Sequence, residues 1–148
     1  MITDALRYVF TRDIDKLKTE IASYTNEDAL WEVSGAISNS GGNLCLHLIG
    51  NLNHFFGAIL GSSGYVRQRD LEFSQKNIPV KQLVNEVEST ARVVDLVLSS
   101  LTQEQLEETF SVNVLGEEMS TLQFIMHLST HLNYHLGQLN YHRRFLVK

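Results

Sequence analysis

The stretch HLSTHLNYHLGQLNYH, from His127 to His142, decides how this chain is read. Leu128, Leu132 and Leu139 recur within it at helical spacing, with Phe124 before and Leu146 after on the same face. It also carries four of the six histidines, three of them at steps of four. At about 100° per residue, His135 lies inside the apolar stripe, His131 on its margin and His127 further out. His131 and His135 therefore face the interior of a bundle on successive turns. Two imidazoles in that i, i+4 relation can converge on one metal ion, as on the helix of an HExxH site.

Two ligands make a poor site, because a catalytic zinc-type centre takes three protein ligands and keeps one position open. A second helix offers His47 and His54, both at the edge of a stripe formed by Leu44, Leu48, Leu52, Phe55 and Ile59, with Asn51 between them. His54 is the rival of His47 for the third ligand. The competing reading is three core histidines, each satisfied by its own polar partner. His127 and His142 are assigned to surface or supporting positions. Gln138 shares the side of His131 and could hydrogen-bond a ligand or substrate, as could Asn51; Tyr134 is placed at the pocket mouth. Gly137 costs about 1 kcal/mol in a helix relative to Ala, so it is expected to mark the close approach of another helix or of a dimer partner.

Working outward, four long amphipathic helices are predicted, over about 3–24, 43–60, 80–101 and 121–146, which makes the chain an all-α four-helix bundle. Thr3 is the expected cap of the first helix, and Thr25 that of a short segment around Trp31, a packing residue at the end of the bundle. SNSGGN (38–43) is a turn signal opening the second helix. GSSGYVRQRDLEFSQKNIP (61–79) reads as a loop. Capping boxes at Thr102/Gln105 and Ser120/Gln123 start a short extra helix and the last long one. TFSVNVLGEEMS (109–120) alternates around Gly116 and predicts a short hairpin or extended crossing.

The 148 residues suit one domain over 1–148, with 43% hydrophobic and 20% charged residues. A formal net charge of −5 argues against a general nucleic-acid binder. The clustered Arg143, Arg144 and Lys148 instead suit the negative end of a helix dipole. The lone Cys45 excludes an internal disulfide and fits a reducing compartment; in its apolar run it reads as a small core residue rather than a nucleophile. The N-terminus has no signal-peptide pattern, and LCLHLIGNLNHFFGAIL (44–60) is broken by His and Asn, so no membrane span is expected and the protein is read as cytoplasmic.

HLNYHLGQL (131–139) resembles the signature of the DinB-like superfamily, in which a HxxxH pair is followed by one residue and then Gly-Gln. NLCLHLIGNLNHFF (43–56) is similar to that family's second-helix motif, and RDLEFS (69–74) looks like a recurrent connection in an uncharacterised subgroup. The resemblance covers nearly the whole chain. It implies a four-helix bundle holding a divalent metal, zinc or nickel, on His47, His131 and His135, and a homodimer. Leu136 stands where relatives often have Arg, which removes a basic contact to an anionic substrate at that point. Relatives of assigned activity are thiol-dependent transferases and isomerases using low-molecular-weight thiols such as bacillithiol or mycothiol. The resemblance thus implies a metal-dependent S-transferase or small-molecule hydrolase with an unknown substrate; the alternative is a non-catalytic metal-binding or stress-related interaction protein. No Glu or Asp lies within a helical turn of the three histidines in sequence, which favours metal-activated thiol or water over a separate acid/base pair.

Overall fold

The structure, a computed structural model, describes residues 1–146; Val147 and Lys148, the last member of the basic cluster, lie outside the described residues. The elements are α1 (Ile2–Ala22), a 3-10 turn (Ala29–Trp31), α2 (Gly41–Leu52) continuing as a π-helix (Asn53–Leu60), α3 (Arg69–Ser74), α4 (Val80–Ser100), α5 (Gln103–Glu107) and α6 (Thr121–Leu146). Each long helix follows from its spacing. In α1, Leu6, Phe10, Ile14, Leu17 and Ile21 are buried, and in α6 so are Phe124, Leu128, Leu132, Leu136 and Leu139. Among the described residues there is no strand. The expected crossing before α6 is closed by one isolated antiparallel bridge, Thr109 to Ser120.

Both α1 and α2 pack against α4 and α6. Arg7 meets Asp95 and Lys18 meets Glu88, so α1 and α4 run antiparallel. Asn133 donates to Asp13 and Asn140 to Glu20, so α1 and α6 run parallel. His47 meets His131 while Phe55 meets Phe124, so α2 and α6 are antiparallel. The four long helices therefore run up, down, down, up. The parallel α2 and α4 require a long return, and residues 61–79 supply it, carrying α3 back across the outside of α2.

Several local expectations shift. Helix α1 begins at Ile2, with Thr3 buried inside it rather than capping it, and the turn before Trp31 is held by the Asn26 side chain accepting from the Asp28 N–H, not by Thr25. Every residue of α2 from Gly41 to Leu52 is buried, where a one-sided stripe was expected. Trp31 packs so tightly on its first turn that a Cβ on Gly42 would sit 2.5 Å from the indole. The ordinary helix ends at Leu52, and Asn53 opens a wider π winding.

Gly137 does not mark a close approach within the chain. A Cβ there meets nothing within 4 Å. Gly137→Ala is accordingly expected to stabilise the fold by about 0.5–1 kcal/mol, through helix propensity, in urea denaturation. A destabilised variant would mean that this face is covered in solution. No helix of the described residues is long and apolar enough to cross a membrane.

Candidate metal centre

Helix α2 presents His47 to α6, and α6 presents His131 and His135 on successive turns. The ring centroids lie 5.1 Å (47–131), 5.1 Å (47–135) and 4.6 Å (131–135) apart. One ligand atom from each lies within 4.8 Å of the others. The two Nε2 atoms of His47 and His131 are 3.2 Å apart. That matches the edge of a tetrahedron, about 3.3–3.4 Å, spanned by nitrogens about 2.0–2.1 Å from a zinc-sized ion.

The ring tautomers suit ligation. His47 donates from Nδ1 to Glu72 Oε1 at 3.0 Å, and His135 from Nδ1 to Gln138 Oε1 at 2.7 Å. Each bond puts the proton on Nδ1 and leaves the Nε2 lone pair for a cation. The Nδ1 of His131 is buried without a partner, as are Asn51 Oδ1 and His54 Nδ1. Three imidazoles with convergent nitrogens are a donor set for a borderline divalent ion, so this group could hold a metal.

Glu72 and Arg67 are the residues that sequence reasoning missed. Arg67 forks onto Glu72, with Nε to Oε2 and Nη2 to Oε1 both at 2.8 Å, and Glu72 in turn orients His47. Both come from the segment read as a loop, 20 and 25 residues from His47. Asn43 straps α3 down: its Nδ2 donates to the Glu72 and Gln75 carbonyls, each at 2.9 Å. Gly50 leaves the space, since a Cβ there would lie 2.0 Å from Glu72 Oε2. The RDLEFS stretch was the available signal, but its role was invisible without the strap. The absence of acidic groups near the triad along the chain thus does not hold in space. Glu72 has both oxygens committed, so it is a positioning residue.

Burial lowers His131 to about 4, assisted by the charges that His135, His47, His127 and Arg67 would place nearby. Burial also lowers His135, against the hydrogen bond to Gln138. Both rings are thus neutral at pH 7 and ready to ligate. At Glu72, burial pushes the carboxyl up, but the bonds from His47 and Arg67 outweigh it and hold it below the usual range. The folded pKa of His131 lies below its unfolded value of 6.5. Metal-free protein is therefore expected to lose up to about 3 kcal/mol as pH falls from 6.5 to 4, because only the unfolded chain takes up the proton there. Glu20 and Glu72, lowered from 4.5, add their own loss from about pH 4.5 downward, and the lowered His54 and His135 add theirs within the window. Urea titrations of wild type and His131→Phe across this range check it: a flat wild-type profile would exclude a neutral buried His131.

The remaining predicted residues fall as follows. Asn51 is buried one turn from His47; Tyr134 is 65% exposed with its ring 5.2 Å from that of His135. His54, on the π-helix, is not a member of the triad; burial lowers its pKa. His127 stacks near Phe124 and His131 at the margin. His142 is buried rather than on the surface: Nε2 donates to the Glu32 carbonyl at 2.9 Å, and Nδ1 accepts from the Tyr24 hydroxyl at 2.6 Å. It ties the end of α6 to the first loop. Cys45 is fully buried and its thiol is pushed up by that burial, which makes it inert core. Leu136 is core. One helical turn from the triad, a cavity of about 440 Å³ opens between α2, α6 and residues 36–39; none of the three histidines lines it, but Gln138, which holds His135, does.

No curated protein and no solved structure matches the chain. Residues 4–148 match a family described as "protein of unknown function (DUF1572)". The match leaves out only the first three residues, and the chain belongs to that family.

Proposed function

We propose that this protein is a metal-dependent enzyme of the DinB-like type, with zinc or nickel on His47, His131 and His135, acting by thiol transfer or small-molecule hydrolysis. The observation that supports it is the convergence of three imidazoles, two of them with Nδ1 hydrogen-bonded to an oxygen, with no fourth His, Cys, Asp or Glu joining them among the described residues. Three protein ligands are the pattern of a catalytic rather than a closed structural site. A divalent ion held there would lower the pKa of a coordinated thiol or water enough to present an anion at neutral pH.

The chain's own groups do the rest. Arg67 neutralises Glu72, so the pair adds no net charge; Glu72 holds His47; Gln138 holds His135 and lines the cavity. A homodimer and a low-molecular-weight thiol as co-substrate are part of the proposal. The test is turnover by protein reloaded with zinc or nickel, using a small aliphatic thiol with chlorodinitrobenzene, and a nitrophenyl ester for hydrolysis. The expected result is product formation that scales with bound metal. Full metal loading without turnover in either assay would sink the enzyme reading and favour a non-catalytic metal-binding role.

A further inference from the structure

The cavity next to the triad narrows the kind of molecule that could react there. Leu44 and Gln138 lie three residues from His47 and His135, about 5 Å along antiparallel helices, so both place the cavity at one end of the metal centre. Ile37, Leu44, Tyr141 and Phe145 are its large apolar lining, and no Lys, Arg, Asp or Glu among the described residues lines it. His142 contributes no free polar atom, because both ring nitrogens are engaged with Tyr24 and Glu32. The other polar side chains of the lining are Ser38, Asn39 and Gln138; the Oε1 of Gln138 is held by His135, and its amide N–H groups make no hydrogen bond among the described residues.

We propose that this cavity binds the uncharged, apolar body of a substrate, of aromatic-ring size, with an acceptor oxygen on the Gln138 amide and the reacting end turned towards the three histidines. An uncharged, mostly apolar wall offers a charged group no ion-pair partner and favours an apolar, neutral occupant. A volume of about 440 Å³ lies within the range of small-molecule sites. A thiol co-substrate bearing carboxylates is thereby assigned elsewhere, and the cavity takes the apolar partner of the reaction. This inference rests on the metal-dependent reading for the reacting end, but not for occupancy of the cavity.

The experiment is a titration with naphthol and, separately, naphthalene sulfonate, followed by protein NMR, with metal content measured in every sample. Saturable naphthol binding is expected, with intermolecular contacts from its ring to the Ile37 and Leu44 methyls and binding of the sulfonate at least roughly tenfold weaker. Ala36→Trp, on the exposed loop at the cavity wall, is expected to weaken naphthol binding roughly tenfold while leaving metal content unchanged. Gln138→Leu is expected to weaken naphthol but not unsubstituted naphthalene. Equal binding of the sulfonate, contacts elsewhere, or indifference to Ala36→Trp would overturn the proposal. If the protein takes up no metal yet naphthol binds as described, the metal-dependent reading fails and the cavity assignment stands.

Discussion

His131→Ala protein, purified without a His-tag, will carry essentially no divalent ion, whereas wild type will carry about one per chain. His131 contacts both other members of the triad: its Nε2 faces that of His47 at 3.2 Å, and its ring centroid is 4.6 Å from that of His135. Removing it leaves two imidazoles, too few for a stable site of this kind. Two controls sharpen the result. His54→Ala should keep its metal, because His54 lies outside the group and winds with the π segment. His142→Ala should keep its metal but lose stability, since it breaks the contacts to Tyr24 and Glu32. Metal retained by His131→Ala, or lost from His54→Ala, would show that the wrong histidines have been assigned.

The second large effect belongs to Glu72→Ala. Glu72 is only 6% exposed and satisfies two donors of Arg67 and one of His47. Deleting its carboxylate strands a guanidinium that is itself only 13% exposed and leaves the His47 Nδ1–H without an acceptor. Breaking a buried pair by removing one partner costs about 3–5 kcal/mol, a large share of a domain's typical stability. Loss of the group that orients a ligating histidine is also expected to weaken metal affinity by about 10–100-fold. Glu72→Gln separates the two effects: its amide oxygen can still accept from His47, so affinity should fall less than in Glu72→Ala while the Arg67 charge stays uncompensated. Urea denaturation and metal competition with a chromogenic chelator measure both. Wild-type stability in Glu72→Ala would mean that the Arg67–Glu72–His47 chain is not formed in solution.

Read along the chain, the fold was largely accessible because its information is local. Helical periodicity with capping residues located α4 and α6 nearly to the residue, and both capping boxes form as read, Thr102 with Gln105 and Ser120 with Gln123. The i, i+4 relation of His131 and His135 is a property of one helix and survives folding unchanged. The choice of His47 over His54 came from the family resemblance. In the structure only His47 joins His131 and His135 in one group; antiparallel packing sets Phe55, next to His54, against Phe124, two turns of α6 away from His131.

What the sequence determined by itself was therefore the set of long helices, the faces they bury and the pair of imidazoles on α6, all set by residues within a turn or two of one another. Tertiary structure alone decided what covers those faces. It returned Glu72 and Arg67 across α2 through Asn43 and the gap at Gly50, it buried all of α2 under its neighbours, and it drew His142 inward to Tyr24, 118 residues away. A wheel gives the direction of a side chain but not the partner that meets it, and burial of a polar group is favourable only once that distant partner has arrived.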